Sequence, residues 1–104
     1  MDKQSMMNYV TFSDEKFTRN VVKSGGKSMA FVLNFQPGQA LPPHPHPNAD
    51  VYVVVWEGSG TFTVDSKSFL AEKGDIVHCR GEEVLSFKND SNVNTTLYVT
   101  LARD

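Results

Sequence analysis

The sequence predicts an all-β fold, a sandwich or barrel of short strands. Two observations carry this. First, Val (13), Phe (7), Thr (7), Tyr (3), Ile (1) and Trp (1) make up 32 of 104 residues, against 6 Leu and 5 Ala. Branched and aromatic side chains lose rotamer freedom on a helix and fit a pleated surface. Second, short apolar or alternating runs recur between Gly-, Asp-, Asn- and Ser-rich turns. Strands at roughly 8–12-residue spacing are the pattern of sandwiches and barrels. No stretch sustains a 3.6-residue period.

The elements follow in chain order. Tyr9–Phe12 and Phe17–Val22 are the weakest strand candidates, with a helical turn expected at Asp14–Thr18. Gly25-Gly26-Lys27-Ser28 reads as a hairpin turn; it lacks the first Gly and the helix of a phosphate-binding loop. In Ser28–Phe35, residues Met29, Phe31, Leu33 and Phe35 share one face. Val51–Trp56 is apolar on both faces. Thr61–Val64 and Ser68–Leu70 flank the turn Asp65-Ser66-Lys67. Ile76–Cys79 follows Gly74-Asp75, and Val84–Lys88 is another short strand. In Thr95–Leu101, residues Leu97, Val99 and Leu101 share a face. The expected core includes Phe31, Leu33, Phe35, Val53, Val55, Phe62, Val64, Val77 and Phe87.

Length and charge bound the function. At 104 residues the chain is expected to form one domain, residues 1–104. With 39% hydrophobic and 21% charged residues it reads as globular. A net charge of −2 with scattered Lys and Arg gives no electrostatic case for nucleic acid or an anionic membrane. The single cysteine, Cys79, cannot form an internal disulfide, and the N-terminal residues carry no apolar signal region. A cytoplasmic protein is the expectation.

All five prolines (Pro37, Pro42, Pro43, Pro45, Pro47) fall within eleven residues, and His44 and His46 lie among them. Proline fixes φ and removes a donor, so this segment is stiff, extended and confined to an edge or loop. In an extended chain His44 and His46 point to one side, and neutral imidazole is a common transition-metal ligand. The plainer alternative is a surface loop with two exposed histidines. On Ile76–Cys79, Val77 and Cys79 share one face and Ile76 and His78 the other; the run is too short to say which is inside. Glu72, Glu82, Glu83 and Asp90 read as solvated turn charges. No Ser or Cys nucleophile has a recognisable elbow or base.

If Val51, Val53 and Val55 face the core, Tyr52, Val54 and Trp56 need another cover. A homodimer interface is the simplest, because monomers rarely expose large apolar patches. A second layer from the same chain is the alternative.

The spacing Gly38, five residues, His44, one residue, His46, four residues, position 51, six residues, Gly58 resembles the first motif of the cupin superfamily. Gly74-Asp75 through Asn89 resembles the second. The likeness spans residues 38–89 and implies an antiparallel double-stranded β-helix, or jelly roll, as in small single-domain bacterial cupins. Metal-binding cupins use the two histidines and a glutamate of the first motif and a histidine of the second. Here Val51 stands at the glutamate position and Leu85 at the second-motif histidine. Arg80 and Glu82 replace the usual proline and glycine. Asp50, one residue early, would face the wrong side unless a bulge re-aimed it. Cys79 is the other candidate third ligand, followed by His78.

Three functions are compatible with these residues. The first is small-molecule binding in a largely apolar cavity lined by Val51, Val53, Leu85 and Phe87, with His44 and His46 as polar anchors. The second is a dioxygenase- or isomerase-type enzyme with a reduced ligand set holding Fe, Mn, Ni or Zn. The third is a non-catalytic dimeric interaction module. A metal-free route with His44 or His46 as general base lacks a visible partner. The first function is the leading expectation.

Overall fold

A computed structural model of the chain covers residues 1–104. Nine strands follow a short 3-10 helix at Met6–Tyr9. They are β1 (Thr18–Gly25), β2 (Ser28–Phe35), β3 (Ala40–His44), β4 (Ala49–Glu57), β5 (Ser59–Val64), β6 (Lys67–Glu72), β7 (Ile76–Cys79), β8 (Leu85–Lys88) and β9 (Thr95–Arg103). They form two antiparallel sheets in the orders β1-β2-β9-β4-β7 and β3-β8-β5-β6. The fold is a jelly roll, in which two sheets face each other across one core. No helix is long and apolar enough to cross a membrane.

The core follows the alternation. Phe31, Leu33 and Phe35 of β2, Val51, Val53 and Val55 of β4, and Leu97, Val99 and Leu101 of β9 join one buried cluster. The facing sheet contributes Phe62, Leu85 and Phe87. Phe87 contacts Phe35 at 4.9 Å and Phe62 at 4.7 Å between ring centroids, so it ties the two sheets together. Val64 packs against this cluster but is only half-buried.

Two local expectations fail at the N-terminal end. Tyr9–Phe12 is not a strand. The Ser5 side chain caps the 3-10 turn by accepting from the Met7 N–H at 3.2 Å. The Tyr9 carbonyl then accepts from the side chains of Asn20 (2.9 Å) and Asn34 (2.8 Å), not from a neighbouring strand. Asp14–Thr18 forms no helical turn, because Thr18 opens β1 and Ser13 closes only a bend onto the Glu15 N–H at 3.2 Å.

Those Asn34 contacts belong to the outer face of β2. Asn34 is fully buried there, donating to Tyr9 and to Thr18 (3.1 Å) and accepting from Thr96 (2.8 Å). A buried amide is tolerated when its donors and acceptor are matched in this way. The N-terminal segment therefore lies across the β1–β2 part of the first sheet.

The proline cluster also takes its predicted place. β3 is the edge strand of the second sheet and pairs only with β8. An edge is where missing proline donors cost least.

Candidate functional site

The site is built on β3 and the loop that follows it. Leu41 pairs with Phe87 and His44 with Leu85, so three steps along β3 match two along β8. The extra residue is a bulge at Pro42-Pro43. Directly opposed residues share a face of the sheet. The bulge therefore moves His44 onto the same side as inward-facing Leu85, where regular alternation from Leu41 would have turned it away. No feature of the local sequence announced this phase change beyond the paired prolines.

His46 is held at its backbone. Its N–H donates to the Gly81 carbonyl at 2.9 Å, and its carbonyl accepts from the Ala49 N–H at 3.1 Å. Asn48 takes a positive φ of 64° in the tight turn between them, a conformation asparagine tolerates better than most residues. Gly81 touches this turn so closely that a Cβ there would lie 2.7 Å from the Ala49 carbonyl oxygen and press on that of His46. Sequence reasoning missed Gly81, since along the chain it reads only as the end of a strand.

The ends of the two motifs also meet. The Gly38 N–H donates to the Asn89 carbonyl at 2.7 Å, and the Asn89 N–H to the Gln39 carbonyl at 2.9 Å. The Asn89 side chain donates to the carbonyls of Phe35 (3.0 Å) and Val93 (2.8 Å). These bonds fix where β3 begins, and hence where His44 at its end and His46 just beyond it come to lie.

The imidazoles of His44 and His46 lie edge to face, 5.3 Å between centroids with a 65° interplanar angle. His44 is exposed and His46 half-buried. The His46 Nδ1 atom is buried and has no hydrogen-bond partner. Burial, and secondarily the charge of His44, lowers the His46 pKa from its ordinary 6.5. His46 is thus neutral near pH 7, with one ring nitrogen a donor and the other an acceptor.

A stability prediction follows from this shift. The folded state resists protonating His46, so its contribution is fully present above pH 6.5 and is lost as pH falls through the lower folded value. Denaturant unfolding at about pH 7.5 and about pH 5 should show a loss in acid that is smaller in His46→Gln. An equal loss in both proteins would contradict the assignment.

The other candidate residues lie elsewhere. Asp50 faces outward from β4, about half exposed, with its carboxylate 3.4 Å from the His78 Nε2. No register shift in β4 precedes Val55, so nothing re-aims it. His78 also faces outward, stacked on Tyr52 at 4.7 Å and 18°. Cys79 faces inward and is 1% exposed within the core cluster. Burial, then Glu83 and Asp65, pushes its thiol pKa up, against thiolate formation. Val51, Val53, Leu85 and Phe87 are 1%, 1%, 3% and 1% exposed and pack in the same cluster. The solvent-accessible part of the candidate site is therefore the histidine pair.

Nowhere in the chain do three or more His, Cys, Asp or Glu side chains converge as metal ligands. Resident divalent metals normally take three or four protein ligands. Two imidazoles, with Val51 and Leu85 buried in the places of a carboxylate and a third imidazole, do not fit such an ion.

Comparison with known proteins agrees with the fold. A family model described as a cupin domain matches residues 31–101. A crystal structure from Thermus thermophilus superposes with a TM-score of 0.93 at 20% identity, covering 99% of this chain and 98% of that one. An uncharacterized conserved protein with a double-stranded β-helix domain from Klebsiella pneumoniae gives 0.93 at 22% identity, with 99% and 90% covered. An RmlC-like cupin protein from Desulfovibrio desulfuricans gives 0.87 at 24% identity, with 98% and 96% covered. Identities this low speak to the fold alone. No curated protein matches the chain.

Proposed function

The chain belongs to the cupin domain family, and from that premise we propose that it binds a small polar organic molecule at the His44–His46 end of its barrel, without a resident metal. The orphaned His46 Nδ1 carries this reading. A buried polar atom left unpaired costs about 1–3 kcal/mol, and native proteins rarely leave one so. A ligand hydroxyl, carbonyl or amide at hydrogen-bond distance would remove that cost. His44, exposed and edge-on beside it, supplies a second polar contact.

The surroundings favour binding. Prolines flank both histidines, and the Gly81 and Ala49 bonds fix the His46 backbone. Little freedom remains to be lost when a ligand arrives. No third His, Cys, Asp or Glu joins the imidazoles as a ligand, and binding is therefore the reading we favour over turnover. The fold hosts many functions, and the site is what distinguishes them.

The test is a screen of hydroxy acids, keto acids and sugars against untagged protein. Binding is read by thermal shift and by the imidazole NMR signals of His44 and His46. A true ligand should raise the unfolding midpoint and move both sets of signals, and the midpoint shift should be lost in His44→Ala/His46→Ala. Ligands whose effect survives the double substitution would overturn the proposal.

A further inference from the structure

The two sheets part along one side of the sandwich. β6 is the edge strand of the second sheet and β7 of the first, and residues 73–75 join them. On the inward face of β6, Ala71 beside that turn is 1% exposed. Phe69, two residues along the same face and paired with core residue Phe62, is 39% exposed. Protein interiors are close-packed, so an inward ring with that much free surface marks a place where the core is left open.

The opening is a cleft of about 440 Å³, within the range of about 300–1,000 Å³ found for small-molecule sites. Val64, Phe69 and Val77 form its apolar floor, and Asp65, Lys67 and Glu83 its polar rim. The Phe69 ring stacks on Phe62, with centroids 5.8 Å apart and planes at 21°. The histidine pair is elsewhere. His44, Leu85, Val64 and Lys67 form one row across the second sheet, so His44 and Lys67 stand at opposite edges with buried Leu85 between them.

The rim has a charge preference. Asp65 accepts from the Val84 N–H through Oδ1 (2.9 Å), and Glu83 from the Arg80 N–H through Oε1 (2.8 Å). Each keeps a second carboxylate oxygen for another partner. The Arg80 guanidinium lies nearer Glu82 (3.3 Å) than Glu83 (4.0 Å). His78 borders the cleft, but its ring is taken up by Asp50 and Tyr52 on the outer face. Lys67 is thus one cation against two carboxylates. Cys79 reports the same imbalance: burial first, then Glu83 and Asp65, raises its thiol pKa, as negative potential at this edge would.

We infer that this cleft is a second binding site, for a small aromatic amine whose ring packs on Phe69 between the sheets and whose ammonium meets Asp65 and Glu83. A guest ring there continues the Phe62–Phe69 stack into the cleft. Charge-assisted hydrogen bonds to the free carboxylate oxygens hold the ammonium, and the same two groups repel an aromatic acid.

The experiment is an NMR titration of the untagged chain with phenethylamine, and with 3-phenylpropionate as the probe of opposite charge. Phenethylamine should move the amide signals of Val64, Lys67 and Val77 saturably. Phe69→Ala should weaken binding about tenfold, the scale of a lost aromatic contact. Asp65→Asn/Glu83→Gln keeps both backbone hydrogen bonds, removes both charges and should weaken binding at least about tenfold; it decides the matter if Phe69→Ala perturbs folding. Leu70→Ala, on the outer face of β6 and 65% exposed, should change nothing. His44→Ala/His46→Ala should also leave phenethylamine binding unchanged, which separates this site from the histidine reading. No saturable shift at about 10 mM phenethylamine would overturn the inference. So would equal binding of 3-phenylpropionate, or phenethylamine binding that survives the Asp65→Asn/Glu83→Gln change or is lost with the histidines.

Discussion

Phe87→Ala is expected to destabilise the protein by about 3–5 kcal/mol. The ring is 1% exposed and meets Phe35 of one sheet and Phe62 of the other. Its loss removes apolar burial and two aromatic contacts, each worth about 0.5–1.5 kcal/mol beyond area alone. The surroundings cannot collapse easily, because Gly60 already brings the β5 backbone against the Phe87 ring. Denaturant unfolding measures the effect. A cost below about 0.5 kcal/mol, the range of surface substitutions, would mean that Phe87 lines open space and that the barrel holds a ligand cavity.

Gly81→Ala is the second large effect. Alanine for glycine usually stabilises by about 0.4–1 kcal/mol through the unfolded chain. Here the added Cβ meets the carbonyl oxygens of His46 and Ala49, which are backbone and cannot swing aside. Overpacking of this kind costs about 1–3 kcal/mol, so destabilisation wins. The bond from the His46 N–H to the Gly81 carbonyl should also be disturbed. The imidazole signals of His46 should shift, while those of His78, on the outer face, should not. Unchanged His46 signals would show that the loop after β7 does not position this histidine.

Much of the fold was legible because strands of period two declare their faces. Leu97, Val99 and Leu101, or Val51, Val53 and Val55, needed only alternation to be placed inward. The proline cluster announced an edge strand for the same local reason, the missing N–H donors. Other features depended on partners distant in sequence. The bulge that re-aims His44 exists only relative to Leu85 and Phe87 across the sheet. The short run Ile76–Cys79 could not reveal its inner face until Val51 and Val53 paired with Cys79 and Val77. Tyr9–Phe12 has strand-like composition, yet the Tyr9 carbonyl is engaged by two asparagine side chains 11 and 25 residues away. The closeness of Gly81 to the His46 turn likewise arises only in three dimensions.

The histidine pair was legible as a stiff i, i+2 motif, but its chemistry was not. Whether a third ligand joined depended on the faces of Asp50, His78 and Cys79. Two of these face outward and the third is buried in the core. What remains is a pair of imidazoles, one with a buried nitrogen that no protein group partners.

The most direct test of this account is elemental analysis of untagged protein beside His44→Ala/His46→Ala, after incubation with iron, manganese, nickel and zinc and removal of free ions. The account predicts far less than one equivalent of any metal in either protein. Near-stoichiometric metal in the wild type, lost in the double variant, would contradict it and make the histidine pair a metal centre.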